Sequence, residues 1–117
     1  MLNVLSGSAF LFSATVSLYA IGKAGLMAAT RAMAAELEPF GIRVNALSPG
    51  TVDTDMVRKN PAEAQAAMTA IQLMRRMAHP DEMIGPALML TSDAGSFMTG
   101  HSNASATAGH SRITLRS

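Results

Sequence analysis

The sequence predicts an α/β fold in which parallel strands alternate with helices. Three observations carry that reading. A short apolar run, Leu2-Asn3-Val4-Leu5, ends in Ser6-Gly7-Ser8, as a buried strand does where it enters a loop. A stretch rich in Ala, Met and Leu with no proline follows, from about Ser17 to Glu38, and these are strong helix formers. A second β-type run, Ile42–Leu47, then closes on the turn signal Ser48-Pro49-Gly50. Strand, helix, strand in that order implies a βαβ unit and a parallel sheet.

The remaining elements follow in turn. Pro39 and Gly41 end the long helix. Asp53 to Lys59 is predicted as a short helical turn, with Thr54 placed to cap it. Pro61 to about Met77 reads as a helix with proline at its first position and Glu63 in its first turn. Another helix is expected from Pro80 to about Thr91, kinked or shortened by Pro86. Phe97-Met98-Thr99-Gly100 onward reads as a weak strand, and residues 102–117 as the end of that strand and a tail.

Composition narrows the function classes. At 117 residues the chain is one domain at most, since a domain usually takes roughly 100–200 residues. It is 49% hydrophobic with a net charge of +1, so it is apolar enough for a core and has no basic face to neutralise phosphates. Nucleic acid is therefore not an expected partner. With no cysteine there is no disulfide framework and no thiolate metal site, and His79, His101 and His110 share no ligand-like spacing. Ser13, Thr15 and Ser17 interrupt the N-terminal apolar run, and no basic residue precedes Lys23, so neither a spanning helix nor a signal peptide is expected. The expected location is cytoplasmic.

Tyr19 and Lys23 lie four residues apart, so both project from one face of the long helix. A phenol ordinarily titrates near ~10, and a neighbouring ammonium favours the phenolate, which makes such a pair a usable general acid/base. Alone, the spacing also fits surface decoration. Ser6 ends the preceding strand and Ser48-Pro49-Gly50-Thr51-Val52-Asp53-Thr54 ends the next, at the edge where α/β sheets bind ligands. Three groups thus meet on one rim. Ala20, Ala24, Ala28, Ala32 and Ala35 line the long helix, either to pack on its own sheet or to meet another subunit.

Asn3-Val4-Leu5-Ser6, Tyr19-Ala20-Ile21-Gly22-Lys23-Ala24-Gly25 and Gly41-Ile42-Arg43-Val44-Asn45-Ala46-Leu47-Ser48-Pro49-Gly50 with Thr54 resemble the short-chain dehydrogenase/reductase family. The similarity runs in register from residue 3 to about residue 101. It implies part of a Rossmann-like, doubly wound parallel sheet, about three strands with flanking helices, over residues 1–101. It further implies NAD- or NADP-dependent interconversion of a small-molecule alcohol and carbonyl. Tyr19 would be the acid/base, with Lys23 favouring its phenolate and holding the nicotinamide ribose, and Ser6 would bind the substrate oxygen. Pro49, Gly50, the Val52 backbone and the Thr54 hydroxyl would cradle the carboxamide. Residues 55–77 would form the substrate loop, an apolar lid built from Met56, Met68, Ile71, Leu73, Met74 and Met77. A homo-oligomer through the long helix is expected.

The family's phosphate-binding glycine loop, the residue that selects NAD or NADP and the upstream catalytic asparagine have no counterpart here. The chain therefore reads as the catalytic half of a longer enzyme. The alternative is a non-catalytic fragment or an interaction module built on the long helix. Beyond Gly100, Ser102–Gly109 is small and polar where the family has an apolar strand.

Overall fold

The structure, a computed structural model, describes residues 1–6 and 17–104. Its elements are β1 (Leu2–Val4), α1 (Ser17–Leu37), β2 (Asn45–Ser48), α2 (Asp55–Arg58), α3 (Ala62–Ala70), α4 (Ile84–Thr91) and β3 (Ser102–Ala104), with 3-10 turns at Glu38–Phe40, Pro80–Met83 and Asp93–Gly95. The three strands are all parallel in the order β1-β2-β3. Leu2 stands opposite Asn45 and Val4 opposite Leu47, while Ala46 stands opposite Ser102 and Ser48 opposite Ala104.

Helices cover the sheet on both faces, as buried parallel strands require. On one side Asn3 Nδ2 donates to Thr30 Oγ1 at 3.0 Å, seating α1 on the sheet. Thr30 in turn donates to the Leu26 carbonyl at 2.7 Å, so its hydroxyl is fully used although it is buried. α4 packs against β1 and β2. The core comprises Leu5, Ala34, Val44, Ala46, Leu47 and Leu90, centred on β2.

α1 ends where the sequence predicts. Pro39 sits within the 3-10 turn, and Gly41 adopts φ +70°, donating its N–H to the Glu38 carbonyl at 2.8 Å. That left-handed position suits a residue with no Cβ. The alanine line is divided by the fold: Ala20 and Ala24 are half-buried, whereas Ala28, Ala32 and Ala35 are exposed. Leu18 and Ile21 are also exposed, at 84% and 67%.

Several boundaries differ from the sequence expectation. β2 begins at Asn45 rather than Ile42, because the preceding residues bond elsewhere: Val44 N donates to Thr99 Oγ1, and Arg43 O accepts the Met1 ammonium at 2.6 Å. α3 starts at Ala62, one residue after Pro61, and stops at Ala70 rather than Met77. Beyond it the Gln72 amide donates to the Met74 and Arg76 carbonyls, which holds this segment in a turn. Residues 80–91 divide into a 3-10 turn and α4, and Pro86 does not interrupt α4. Proline is the third residue of that helix, where its missing N–H would lack an intrahelical partner anyway. The last strand begins at Ser102, not Phe97; Met98 and Thr99 are loop residues whose oxygens accept from Arg43, Asn45 and Val44. The expected tail beyond Ala104 and the segment at 9–16 lie outside the described residues, as does His110.

Candidate active site

Parallel pairing brings the C-terminal ends of β1 and β2 to one edge. Leu5 N donates to Leu47 O at 2.7 Å, so extending the register sets Ser6 level with Pro49. Ser6 is half-buried and engaged in a polar interaction. The first turns of α1 reach the same end of β1, because Lys23 Nζ donates to Val4 O at 2.9 Å. One helical turn earlier, Tyr19 lies under that ammonium, with Nζ 5.6 Å from the ring centroid. This is within cation–π range. Tyr19 is 50% exposed, so its phenol is open to a ligand. Lys23 and Tyr19 thus lie beside the end of β1, the strand that leads into Ser6.

The segment after β2 supplies the second wall. Val52 forms an isolated parallel bridge with Ala78: Ala78 N donates to Thr51 O at 2.9 Å and Asp53 N donates to Ala78 O at 2.8 Å. In this geometry the N–H and C=O of Val52 itself point away from Ala78, available to a ligand. Thr54 caps α2 by accepting from Val57 N at 3.4 Å, which leaves its O–H as a donor. Pro49, Gly50, Val52 and Thr54 are all half-buried.

The sequence offered no role for Gln72, whose side chain is buried. Its Oε1 accepts from Thr51 N–H while its Nε2 serves Met74 and Arg76, so it stitches the loop after β2 to the end of the 55–77 segment. Nearby, Arg76 and Glu82 form a bidentate pair at 2.8 and 2.7 Å. Glu82 also accepts from His79 N, and His79 Nδ1 accepts from Asp81 N, capping the turn at Pro80–Met83. The spacing of His79 and Glu82, three residues apart before a helical stretch, is the one signal in the sequence for this cap. The Arg76 hydrogen bond, followed by the His79 N–H, lowers the Glu82 carboxyl to about 2.

Gly50, Thr51, Gln72, Met74, Arg76, Ala78, Glu82 and Met83 line an open pocket of about 170 Å³. Tyr19, Lys23 and Ser6 do not line it. Of the apolar residues in the 55–77 segment, Met56, Ile71, Leu73 and Met74 are exposed. Among the described residues no cluster of His, Asp and Glu is placed to hold a metal ion, and no helix is long and apolar enough to cross a membrane.

A family model described as enoyl-(acyl carrier protein) reductase matches residues 1–105. The chain belongs to the short-chain dehydrogenase/reductase family. It is 40% identical over 100 residues to a cis-4-hydroxycyclohexanecarboxylate dehydrogenase of Sinomonas cyclohexanicum, covering 86% of this chain and 40% of that protein. It is 38% identical over 82 residues to the 3-oxoacyl-[acyl-carrier-protein] reductase of Thermotoga maritima, covering 70% of this chain and 33% of that one. Among solved structures, a 3-oxoacyl-[acyl-carrier protein] reductase of Brucella melitensis superposes with a TM-score of 0.82 at 36% identity, over 89% of this chain and 39% of its own. A second reductase from that organism, solved with bound NAD, gives 0.78 at 35% identity, over 89% of this chain and 38% of its own. This family member thus spans between 29% and 41% of the length of such curated relatives. Its relatives are oxidoreductases, and its three parallel strands with flanking helices are part of the family's Rossmann-like sheet.

Proposed function

We propose that this chain carries the substrate and nicotinamide end of an NAD(P)-dependent oxidoreductase that interconverts an alcohol and a carbonyl. The observation that carries the reading is the placement of Lys23 Nζ 5.6 Å from the Tyr19 ring centroid, beside the C-terminal end of β1. Ligands of parallel α/β sheets bind outside the carboxyl ends of the strands.

The residues present fit the nicotinamide end of the cofactor. The outward N–H and C=O of Val52 match the donor and acceptor of a carboxamide, and the Thr54 hydroxyl stands two residues on. Lys23 is the cation for the ribose hydroxyls, and Pro49-Gly50 shapes the floor of the cradle. When bound, the nicotinamide supplies the hydride chemistry. Tyr19 gives its phenolic proton to the carbonyl oxygen in the reducing direction and takes one from the alcohol in the other. The Ser6 hydroxyl donates to the same oxygen, and the Lys23 charge over the ring offsets the negative charge left on Tyr19. The substrate is a small molecule bounded by the exposed apolar residues of 55–77, and the exposed face of α1 is the surface for a second copy of the chain.

A second reading, an interaction module without catalysis, is favoured by that same exposed face, where Leu18 is 84% exposed. Cofactor binding separates the two. Titration of the purified chain with NADH and NADPH, followed by cofactor fluorescence, gives saturable enhancement on the first reading. Saturable binding of either cofactor rules out the second. In a chain that turns over, Tyr19→Phe abolishes turnover and leaves cofactor affinity nearly unchanged; retained turnover removes Tyr19 from the acid/base role.

A further inference from the structure

The parallel bridge between Val52 and Ala78 continues in an unusual way. Ala78 N donates to Thr51 O at 2.9 Å and Asp53 N donates to Ala78 O at 2.8 Å. Bonds in a parallel ladder step along each strand two residues at a time, so the next one would run from Thr51 N to Arg76 O. The Gln72 side chain stands between those two groups instead. Its Oε1 accepts from Thr51 N–H, and its Nε2 donates to Arg76 O at 2.9 Å and to Met74 O at 3.3 Å. An amide side chain presents an acceptor and two donors in one plane, as a peptide group presents one of each. Gln72 is only 6% exposed, so its partners are fixed by the fold rather than exchanged with water.

Three successive peptide planes are held as a result. Gln72 grips the plane that carries Thr51 N–H, while Ala78 grips the next two through Thr51 O and Asp53 N. Those next two planes carry the outward N–H and C=O of Val52.

We propose that Gln72 is a positioning residue for the Val52 cradle. Its amide serves as an inserted peptide unit that carries the ladder one rung further and fixes the directions of the Val52 N–H and C=O. Because Nε2 is anchored on Met74 and Arg76, the end of the 55–77 segment and the cradle are held as one piece. The effect on a bound cofactor rests on the reading of Val52 as the carboxamide partner, whereas the insertion itself is a matter of which groups the Gln72 amide bonds.

Hydrogen exchange by NMR on the 15N-labelled full chain tests the insertion without any ligand. The sequence has two glutamines, Gln65 and Gln72, and Gln65 Nε2 bonds to Arg58 O and Asn60 O nearer the surface. The Gln72 side-chain amide protons should exchange about tenfold or more slowly than those of Gln65; equal rates overturn the proposal. In Gln72→Met the Thr51 amide should lose about tenfold or more of its protection, while Ala46, bonded to His101 O within the sheet, keeps its own. Unchanged Thr51 protection overturns the proposal as well, and if Ala46 loses protection too, the wild-type glutamine comparison decides. Reduced nicotinamide mononucleotide, followed through the Val52 amide shift, should bind Gln72→Met several-fold more weakly than the wild type. Equal affinity removes the positioning role. A wild type that does not bind this probe, yet has a slowly exchanging Gln72 amide, keeps the insertion and removes only the cofactor reading.

Discussion

Asn45 is fully buried and joins β2 to the segment that leads into β3. Its Nδ2 donates to Met98 O at 2.8 Å, and its Oδ1 accepts from His101 N at 3.0 Å. Asn45→Ala removes both bonds, each worth about 1 kcal/mol net. Met98 O retains a bond from Arg43 Nη1 at 3.2 Å, so the further cost falls on the His101 N–H, about 1–2 kcal/mol for a donor left without a partner. The expected loss is about 3–4 kcal/mol, a large part of the 5–15 kcal/mol that holds a domain of ordinary stability. Asn60 provides the control. Its Nδ2 also makes two bonds, to Met56 O at 3.2 Å and Val57 O at 3.0 Å, but within one turn of the chain at the surface. Asn60→Ala should cost below about 1 kcal/mol, as surface changes do. Urea unfolding followed by far-ultraviolet circular dichroism measures both. If Asn45→Ala costs no more than Asn60→Ala, the Asn45 side chain does not hold β3 to the sheet.

Three other perturbations test separate parts of the structure. Glu82 has its carboxyl lowered from 4.5 to about 2 by Arg76 and the His79 N–H, so its contribution is complete above about pH 4.5 and is lost as pH falls toward 2. Glu82→Gln should therefore flatten the fall in stability over that interval, and an unchanged acid profile would count against the pair. Gly95 is buried, and a Cβ there would overlap the Met89 carbonyl oxygen; Gly95→Ala should destabilise by about 2 kcal/mol or more in the same urea assay, and a neutral result would mean the α4 terminus yields freely. If the exposed face of α1 joins two copies, Ile21→Glu should shift the chain to monomer in sedimentation velocity while leaving its helix content intact, whereas a wild type already monomeric at high concentration refutes that interface.

Local signals made α1 legible. Uninterrupted helix formers from Ser17, and Pro39 with Gly41 at the end, act within a few residues of where they stand. Thr54 was readable as a cap for the same reason. The misplaced ends of β2, α3 and β3 each involve at least one partner far away in sequence. Ile42-Arg43-Val44-Asn45 alternates as a strand would, yet the Arg43 guanidinium donates to Leu90 O, Ser92 O and Met98 O, some 50 residues on. Residues 71–77 have helical composition, but Gln72 turns them by bonding across to Thr51. Tyr19 and Lys23 were visible as a pair because a helix makes neighbours of residues four apart. The hold of Lys23 on Val4 was not visible, since a sheet edge exists only once the strands have assembled.

Gln72 and the Val52–Ala78 bridge meet at one point and seal the base of everything between residues 54 and 71. That excursion behaves as a cassette. Its length and composition can vary at little entropic cost, because the ends are already stitched together and further residues add only slowly to the closure term. Residues 55–71 form the tip, where exposed Met56 and Ile71 stand in solvent, whereas Gly50 and Thr51 belong to the seam. Exchanging the tip for that of a relative, with Gln72 and Ala78 retained, should leave the three-stranded frame undisturbed.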